Sequence, residues 1–460
     1  MATIAIIGGG PAGYVAAITA AQQGAGVILI EQASLGGTCL NEGCIPTKTL
    51  LESAGRYRDI QHEETFGIRL NGRDVTVDWT AVLDRKNAIV SHLVQGVQYL
   101  MKKNKIKVVQ GKAVFQSSCS VLVETSNGTV EIEADRFIIA TGSEPAALPF
   151  APFDGKWVID STQAMSLPGI PSSLLIVGGG VIGCEFASIY SRLGVKVSIV
   201  EMADQILPGE DADIAAILKE QLEKDGVNIY KSAAVKELDP EKNCAVVEHA
   251  GQNVEMYADY ALVSIGRKPN TQGLGLENAG VEYSKTGIMV NEKMQTTHPD
   301  IYACGDCIGG IQLAHVAFHE GKVAALNACG IETSANYRAV PRCIYTFPEI
   351  AGVGLTEKQA KEMYGSVRIG EFPFSANGKA MISGEQAGKV KVVIELEYEE
   401  VVGLSIAGPH ATELIGQGAL MLNAEMTADM LDQYIVAHPT VSEAIHEALL
   451  NATGQAVHIL

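Results

Sequence analysis

Two cysteines lie five positions apart in the segment GGTCLNEGCIPTK, residues 36–48. A disulfide requires Cα atoms roughly 4.4–6.8 Å apart, and residues five apart in a regular helix are farther than that. The chain between Cys39 and Cys44 must therefore bend. Because Pro46 would clash with a carbonyl of the preceding turn in a continuous helix, we predict a distorted turn that leads into a helix starting near Lys48.

A disulfide that closes so short a ring would be strained, and strained or exposed disulfides tend to be the labile, catalytic ones. Two inert thiols and half of a metal site are the alternatives. Zinc pairs usually have about two to four intervening residues and a second ligand pair, and none is evident in this sequence. The spacing of Cys39 and Cys44 therefore favours a redox pair, and we predict no metal site.

A histidine precedes a proline in AHPTVSEAIHEA, residues 437–448, and Glu443 follows His438 by five positions. Such a pattern in isolation is most often a loop residue beside a solvated helix. A redox pair elsewhere in the chain favours a catalytic role over that of a loop residue. An imidazole can take the proton from an incoming dithiol while a carboxylate fixes the tautomer of the imidazole. We predict that His438 and Glu443 are catalytic.

A glycine motif occurs twice, as IAIIGGGPAGYVAA at 4–17 and as LLIVGGGVIGCEFA at 174–187. Each copy combines an apolar strand, a glycine turn and the start of a helix. Such glycines allow a tight turn and close approach of a pyrophosphate to the helix N-terminus. The sequence therefore predicts two dinucleotide sites, with the glycines Gly8, Gly10, Gly13, Gly178, Gly180 and Gly183.

An acidic residue ends the second strand of each copy. Glu31 and Glu201 both follow the first glycine of their copy by 23 residues, the place of a carboxylate that binds the adenosine ribose. Glu201 would repel a 2′-phosphate, so the second site favours NAD over NADP. Because a flavin can mediate between a nicotinamide and a disulfide, we predict FAD in the first site.

The length and composition limit the classes of protein to which this chain can belong. The 460 residues, 47% of them hydrophobic, can bury several cores, and the length suggests about three domains. The net charge of −19 argues against binding nucleic acid or an anionic membrane through charge. Nine cysteines without framework spacing indicate a reducing compartment. With neither a signal peptide nor a long apolar run visible, we predict a cytoplasmic protein.

With these features the sequence resembles the pyridine nucleotide–disulfide oxidoreductases over nearly the whole chain. Further segments that carry the resemblance are IIATGSEP (138–145), IGRKPNT (265–271), IYACGDCIGG (301–310) and LAHVAFHEG (313–321). The resemblance implies an α/β fold with two Rossmann-like dinucleotide-binding domains, for FAD and NAD, and a C-terminal α+β dimerisation domain. The implied boundaries are 1–146 for the FAD domain, 147–268 for the NAD domain, 269–338 for a central segment completing the FAD domain, and 339–460 for the interface domain.

The resemblance also implies roles for individual residues. Cys39 would be the interchange thiol that meets the substrate disulfide, Cys44 the charge-transfer thiol against the flavin, and Asp306 a contact of the FAD ribityl or pyrophosphate. Lys48 would lie near the flavin N5 and pair with Glu185. The other implied cofactor contacts are Gly37, Thr38, Thr141, Gly142, Gly266, Arg267, Ala314 and His315.

The activity implied is oxidation of a dihydrolipoyl group, with electrons passing through the Cys39–Cys44 disulfide and FAD to NAD. The alternative is another NAD(P)H-dependent disulfide reductase or a mercuric reductase. Glu201 disfavours NADPH, and the tail GQAVHIL lacks the paired cysteines of mercuric reductases. A flavin-bound sensor or assembly subunit without turnover is disfavoured by the complete set of candidate catalytic residues.

The implied partners are a second copy of the chain, in a homodimer with active sites shared across its interface, and optionally a 2-oxo acid dehydrogenase complex. In the C-terminal region, residues 389–408 alternate like antiparallel strands, and a helix is predicted in TVSEAIHEALL, residues 440–450.

Three further residues call for an interpretation. Cys304 and Cys307 formally match a CxxC redox motif, but we expect them to be small apolar fillers beside Asp306. Glu42 lies between the redox cysteines, where its carboxylate would raise a thiol pKa and slow thiolate formation.

Overall fold

The structure is a computed structural model that describes residues 2–69 and 75–459. The chain forms two compact units. The first comprises Met1–Leu50, Trp79–Ala146 and Gly266–Asn336, and the second comprises Leu51–Asp78, Ala147–Ile265 and Tyr337–Leu460.

The described α-helices are α1 (Pro11–Gln22), α2 (Gly37–Asn41), α3 (Cys44–His62), α4 (Trp79–Lys103), α5 (Ser161–Ala164), α6 (Val181–Arg192), α7 (Ala212–Lys224), α8 (Ala314–Ala328), α9 (Glu357–Tyr364), α10 (Gly378–Ser383), α11 (Ala411–Asn423), α12 (Ala428–Asp432) and α13 (Glu443–Ala452). Short 3₁₀ turns cover Glu63–Phe66, Leu276–Ala279, Gly305–Ile308 and Phe374–Ala376. Within the described residues, no helix combines the length and apolar character that crossing a membrane requires.

The described strands are β1 (Thr3–Ile7), β2 (Gly26–Glu31), β3 (Lys107–Gln110), β4 (Lys112–Ser117), β5 (Ser120–Thr125), β6 (Gly128–Glu133), β7 (Arg136–Ile139), β8 (Ser143–Pro145), β9 (Val158–Ile159), β10 (Ser173–Val177), β11 (Lys196–Val200), β12 (Asn228–Tyr230), β13 (Ala233–Asp239), β14 (Cys244–His249), β15 (Gln252–Tyr257), β16 (Tyr260–Val263), β17 (Arg267–Pro269), β18 (Tyr283–Ser284), β19 (Gly287–Ile288), β20 (Ile301–Ala303), β21 (Arg342–Ile344), β22 (Glu349–Gly354), β23 (Val367–Pro373), β24 (Lys389–Glu395) and β25 (Val401–Gly408).

The first unit is built on a parallel sheet of order β20-β7-β1-β2-β3. Its central strand β1 is apolar, as a strand covered on both faces must be. Ile4 and Ile6 pack in one core with Ala16 and Ala17 of α1 and Ala324 of α8. Small alanine side chains let α1 and α8 pack closely against the sheet. Because α1 follows β1 directly in the chain, the start of α1 lies at the carboxyl end of β1.

The second unit contains a parallel sheet of the same plan, of order β12-β11-β10-β16-β9. Strand β10 takes the position of β1, and α6 follows it as α1 follows β1. In each copy a three-stranded antiparallel sheet comes directly before one of the two strands that pair with the central strand. In the first copy β4-β5-β6 comes before β7, and in the second copy β13-β14-β15 comes before β16. The repeat therefore extends well beyond the glycine motif.

The C-terminal part of the second unit carries an antiparallel sheet of order β21-β22-β25-β24-β23. The antiparallel pairing predicted within residues 389–408 is confirmed, because β24 pairs with β25. Both strands are nearly wholly buried, since α11 and α13 pack on this sheet. The predicted helix at 440–450 is also present, but it begins at Glu443.

The helix predicted to start near Lys48 starts four residues earlier, at Cys44. The prediction was wrong because Pro46 is the third residue of α3, where the backbone N–H would have no intrahelical partner in any case. The predicted bend is confirmed. It lies at Glu42, which leaves helical geometry with φ −140° and ψ 21°, and at Gly43, whose carbonyl accepts the first bond of α3 from the Thr47 N–H at 3.1 Å.

Candidate active site

The two cysteines of the segment 36–48 meet across the bend between α2 and α3. Cys39 lies within α2, Cys44 is the first residue of α3, and both are half-buried free thiols. A hydrogen bond joins the two side chains. The structure thus brings the predicted pair into contact.

The environment of the pair is asymmetric. The pKa of Cys39 is raised by its hydrogen bond with Cys44 and then by burial, while the nearby charge of Lys48 opposes both. Cys44 lies at the N-terminus of a 19-residue helix, a position that favours negative charge. Glu42 is exposed, so water screens its carboxylate from the thiols. In the reduced pair, the raised pKa of Cys39 favours the protonated form of this thiol.

The first glycine turn fits closely around its own backbone. Gly8 has a φ of +105°, and a Cβ there would lie 2.2 Å from the Ala140 carbonyl oxygen. A Cβ at Gly13 would lie 1.8 Å from the Gly8 carbonyl oxygen. Side chains at these positions would collide with the backbone of the tight turn that leads into α1, which is the turn that this motif places beside a pyrophosphate.

The second glycine turn repeats this geometry. Gly178 also has a φ of +105°, and a Cβ there would lie 2.6 Å from the Ser264 carbonyl oxygen. A Cβ at Gly183 would lie 2.0 Å from the Gly178 carbonyl oxygen. Gly10 and Gly180 are the N-cap residues of α1 and α6, with nearly identical φ values of −73° and −75°.

The two predicted ribose-binding acids lie at the glycine turns. Glu31 accepts hydrogen bonds of 2.6 Å from the N–H groups of Gly9 and Ala33. Glu201 accepts hydrogen bonds of 2.6 and 2.7 Å from those of Gly179 and Ala203. A carboxylate oxygen has a second lone pair for a ribose hydroxyl. Each glycine turn with its acid, Glu31 or Glu201, therefore fits a dinucleotide, and we call this unit a nucleotide cradle.

Asp306 lies in the turn Gly305–Ile308 and is held by a chain of hydrogen bonds from Arg267 through Ser143, which we call the relay. The Ser143 hydroxyl donates to Asp306 Oδ2 at 2.5 Å, and Arg267 Nε donates to that hydroxyl at 2.7 Å. The Arg267 guanidinium also donates to the Ser143 carbonyl at 2.8 Å. Sequence reasoning missed Ser143, whose only signal was its place in the segment IIATGSEP.

The segments 138–145 and 265–271 also meet at Thr141. The Thr141 hydroxyl donates to the Asn270 carbonyl at 2.7 Å, and the Asn270 side-chain amide donates to the Thr141 carbonyl at 3.0 Å. Gly142, with a φ of +70°, accepts from the Asn270 N–H at 2.9 Å. Asn270 is therefore a second supporting residue that sequence reasoning missed.

The remaining predicted cofactor contacts of the first unit lie in three places. Gly37 has a φ of +56°, and a Cβ there would lie 2.6 Å from the Gly10 Cα, so the redox segment packs on the first glycine turn. Gly266 has a φ of +120° and precedes β17. Thr38 lies in α2 next to Cys39, and Ala314 and His315 are the first residues of α8.

Glu185 lies within α6, with only 4% of its surface exposed. Its Oε1 accepts a hydrogen bond of 3.1 Å from the Tyr345 backbone N–H. Lys48 belongs to the first unit and Glu185 to the second, and the ion pair between them stays a prediction.

His438 and Glu443 form a hydrogen-bonded pair. His438 Nδ1 lies 2.8 Å from Glu443 Oε1, and the Thr440 N–H donates to Glu443 Oε2 at 2.8 Å. Burial opposes ionisation of Glu443, but the hydrogen bonds from Thr440 and His438 outweigh it and lower the Glu443 pKa. The His438 side chain is 78% exposed. A charged Glu443 thus orients an accessible imidazole.

The CGDC cysteines are completely buried. Both Cys304 and Cys307 have 0% exposure, and burial raises the pKa of each, that of Cys307 to about 11. The Cys307 thiol donates to the carbonyls of Ile139 and Cys304 at 3.4 and 3.3 Å. These are the surroundings expected of space-filling thiols.

Two dinucleotide cradles and a dithiol whose sulfurs are in contact define a class of enzyme that passes electrons between a nucleotide and a disulfide. Residues 2–321 match the family described as pyridine nucleotide-disulphide oxidoreductase, and residues 340–449 match the dimerisation domain of that family. The chain belongs to the pyridine nucleotide-disulphide oxidoreductases.

Curated relatives match over the full length. The chain is 57% identical to a dihydrolipoyl dehydrogenase of Bacillus subtilis over 456 residues, 99% of this chain and 100% of that protein. It is 40% identical to the dihydrolipoyl dehydrogenase of Geobacillus stearothermophilus over 458 residues, 99% of this chain and 97% of that one.

Solved structures of the same fold include LpdA from Mycobacterium tuberculosis, with a TM-score of 0.90 and 30% identity over 98% of this chain and 99% of that one. RclA from Escherichia coli, described as an HOCl-induced flavoprotein disulfide reductase in a Cu(II) complex, has a TM-score of 0.87 and 30% identity over 97% and 98% of the two chains. The predicted family, fold class, enzyme class and FAD and NAD cofactors are confirmed.

Proposed function

We propose that this chain oxidises a dihydrolipoyl group to the lipoyl disulfide, with NAD as the final electron acceptor. The observation that carries the proposal is the contact between Cys39 and Cys44, in a chain 57% identical to a dihydrolipoyl dehydrogenase over its full length. A dithiol substrate requires a protein disulfide to receive its electrons, and this pair can form one by a small movement of two side chains.

The oxidised pair reacts by thiol–disulfide exchange. One thiolate of the dihydrolipoyl group attacks Sγ of Cys39, the Cys39–Cys44 bond breaks, and Cys44 leaves as a thiolate. The second substrate sulfur then closes the lipoyl disulfide and releases Cys39. Glu31 and Asp306 would hold FAD and Glu201 would hold NAD. The chemistry these cofactors would supply is removal of the electron pair from the reduced cysteines, which would re-form the Cys39–Cys44 disulfide and leave the electrons on NADH.

His438 takes the proton from the incoming dithiol. Glu443 supports that role because its lowered pKa keeps it ionised at neutral pH, so its charge stabilises the imidazolium that forms. With Glu443 bound to Nδ1, the other ring nitrogen is the one that accepts the substrate proton.

Each domain has a proposed part in this reaction. Residues 1–146 and 269–338 hold FAD, residues 147–268 hold NAD, and residues 339–460 join two copies in a homodimer whose active sites are shared across the interface. The acidic composition and nine cysteines support a reducing, cytoplasmic setting. A 2-oxo acid dehydrogenase complex is the proposed source of the dihydrolipoyl group.

A second candidate is reduction of another disulfide at the expense of NAD(P)H, which the similarity to RclA favours. The test is a steady-state comparison of dihydrolipoamide with NAD against glutathione disulfide with NADPH. We expect kcat/KM to be at least about 100-fold higher for the first pair, because Glu201 disfavours a 2′-phosphate. A preference for the second pair would overturn the proposal.

The thiol pair is tested with Cys44→Ser, with the exposed thiol variant Cys119→Ser as the matched control. We expect Cys44→Ser to keep FAD bound and to be bleached by NADH, but to lose dihydrolipoamide oxidation, since the disulfide cannot form. Cys119→Ser should retain the parental rate. Turnover near the parental rate in Cys44→Ser would contradict the exchange mechanism.

A further inference from the structure

The loop of residues 202–210 joins Glu201 to α7 and closes back on the second glycine turn. Gly179 of that turn is bound through both of its backbone groups. Its N–H donates to Glu201 Oε2 at 2.6 Å, and its carbonyl accepts from the Leu207 N–H at 2.9 Å. A Cβ on Gly179 would lie 3.0 Å from Ile206 Cγ2. The acid and the loop therefore hold the same residue of the second nucleotide cradle.

The first nucleotide cradle is closed in the same way. The Gly9 N–H donates to Glu31 Oε2 at 2.6 Å, and the Gly9 carbonyl accepts from the Gly36 N–H at 2.8 Å. After Gly36 the chain enters the segment with the redox cysteines, whereas the 202–210 loop continues into α7. Both cradles therefore share the closure, and they differ in what anchors the far end of the loop.

Leu207 lies at a sharp bend of the 202–210 loop. Its φ is +49°, in the left-handed region that a leucine rarely adopts. Its carbonyl accepts from the Glu210 N–H at 3.0 Å and from the Gln205 side-chain amide at 3.3 Å. Such a conformation persists only where the surroundings hold it, so the contacts of Glu210 bear on the position of Leu207.

Glu210 is held by an arginine of the C-terminal sheet. Arg342, the first residue of β21, donates to the two carboxylate oxygens of Glu210 at 2.8 and 3.1 Å, and to the Gly354 carbonyl at 3.1 Å. The Glu210 side chain is 6% exposed, so water and salt screen this bidentate pair little. A Cβ on Gly352 would lie 2.6 Å from Arg342 Nη2, so this glycine of β22 leaves space for the guanidinium. Arg342 thus fixes the far end of the loop to the sheet.

The start of α7 has its own anchor on the same sheet. Asp211 accepts a hydrogen bond of 3.0 Å from the Glu357 N–H. Lys391, whose side chain is 3% exposed, lies 4.0 Å from Asp211 and donates to Asp213 at 2.6 Å. These contacts do not involve Arg342. A change at Arg342 should therefore move the 202–210 loop without undocking α7.

We propose that Arg342 is a positioning residue for nucleotide binding. Through Glu210 it holds the 202–210 loop on Gly179, and it thereby keeps Glu201 placed for the adenosine ribose. The inference rests on the proposed NAD site, and it is independent of the identity of the dithiol substrate. Because a misplaced ribose acid weakens binding of the nucleotide before and during the reaction alike, the loss should fall on KM for NAD and leave kcat nearly unchanged.

The test is a double-mutant cycle between Arg342 and Glu201. Arg342→Lys keeps the positive charge but cannot donate two parallel bonds to Glu210, and Glu201→Gln removes the charge of the acid. Binding is measured by calorimetric titration of the oxidised, FAD-loaded protein with NAD and with ADP-ribose, which lacks the nicotinamide. Arg368→Lys is the matched control, because Arg368 of the same sheet pairs with Glu399 at 2.6 Å.

We expect Arg342→Lys to raise the Kd of NAD and that of ADP-ribose alike, by about fivefold. The KM for NAD should rise by a similar factor, while kcat stays within about twofold of the parent. In the Glu201→Gln background, Arg342→Lys should raise Kd by less than about twofold, because the acid that the loop positions has already lost its charge. Glu210→Gln, which changes the other end of the ion pair, should also raise both Kd values. Arg368→Lys should match the parent.

Unchanged Kd values in both Arg342→Lys and Glu210→Gln would overturn the positioning role, even if the melting temperatures fall. A loss of equal size in the parent and Glu201→Gln backgrounds would overturn it as well, because Arg342 would then act independently of Glu201. If Glu201→Gln binds NAD as tightly as the parent does, the proposed NAD site is wrong and the role of Arg342 falls with it. A parent that binds NAD but fails to oxidise dihydrolipoamide contradicts the proposed substrate alone.

Discussion

The backbone N–H of Gly179 donates a hydrogen bond of 2.6 Å to Oε2 of Glu201. Gly9 and Glu31 repeat this bond, at the same 2.6 Å, in the first nucleotide cradle. Each bond ties the acid to its glycine turn, so the position of the carboxylate is set by the same backbone at which we expect the pyrophosphate to bind. The identity of the residue at position 201 should therefore decide which nicotinamide nucleotide is accepted.

Replacing Glu201 with arginine should shift the preference from NAD toward NADP. In the proposed NAD site, the carboxylate that would hydrogen-bond a free 2′-hydroxyl is replaced by a cation that would pair with a 2′-phosphate. We expect the ratio of kcat/KM for NAD to that for NADP to fall by at least about tenfold. The measurement is steady-state oxidation of dihydrolipoamide with each nucleotide.

Glu201→Gln is the control, because it keeps the shape of the side chain and its acceptor oxygen but removes the charge. It should weaken NAD binding without creating a phosphate partner, so its shift in the ratio should be smaller. If Glu201→Arg leaves the ratio at the parental value, Glu201 does not contact the adenosine ribose.

Ser143→Ala should weaken FAD binding through Asp306. The alanine variant leaves Asp306 Oδ2 and Arg267 Nε without the hydroxyl that joins them at 2.5 and 2.7 Å. Loss of such partly buried bonds costs on the order of 1–3 kcal/mol, which corresponds to about a 5- to 150-fold change in affinity. Titration of apoprotein with FAD measures this change.

Ser284→Ala removes a serine hydroxyl from an exposed hairpin and serves as the control for Ser143→Ala. Its FAD affinity should equal that of the parent. An equal affinity in Ser143→Ala would mean that Asp306 does not need the relay, or does not contact FAD.

The parts of the fold and site that could be predicted from the sequence depend on local rules. The strand, glycine turn and acid of each cradle require particular residues at particular spacings, so Gly8, Glu31, Gly178 and Glu201 could be identified from the chain alone. The start of α3 could not, because a proline in the first turn is compatible with either boundary.

Contacts between distant segments were not predictable in the same way. Ser143 meets Asp306 across 163 positions of chain, and Asn270 meets Thr141 across 129. Serine and asparagine are common in loops, so neither residue type signals such a role.

Alkylation of the reduced protein by iodoacetamide should depend steeply on pH at Cys39. Its pKa is raised by the hydrogen bond with Cys44 and by burial, so the reactive thiolate is a small fraction of the population near neutrality. The rate should therefore still rise about tenfold per pH unit above about pH 8.5, where a thiol of ordinary pKa levels off, as measured by peptide mass spectrometry from about pH 6.5 to 9.5. A rate that levels off at or below about pH 8.5 would contradict the raised pKa.

Lys48→Met should slow the same reaction at neutral pH, by several-fold. The charge of Lys48 lowers the pKa of Cys39, so its removal raises that pKa further and reduces the thiolate fraction. Lys358→Met, which removes an exposed charge on α9, is the control and should leave the rate unchanged. Equal rates in parent and Lys48→Met would place Lys48 too far away to act on the thiol.

A mixture of two inactive variants tests whether the site is shared between chains. In the proposed homodimer, Cys44 of one chain works with His438 of the other. His438→Ala should cost on the order of 10² to 10⁴ in rate, the usual range for loss of a general base, and Cys44→Ser should be inactive. Equal amounts of the two variants are therefore refolded together.

A hybrid dimer would hold one site with both residues intact and one site with neither. Random pairing makes about half of the dimers hybrids, and each has half of the parental sites, so roughly a quarter of the parental activity should return. Each variant refolded alone is the control and should show at most about 1% of the parental activity. If hybrids are present by mass and the activity stays at the level of the separate variants, Cys44 and His438 of one working site come from the same chain.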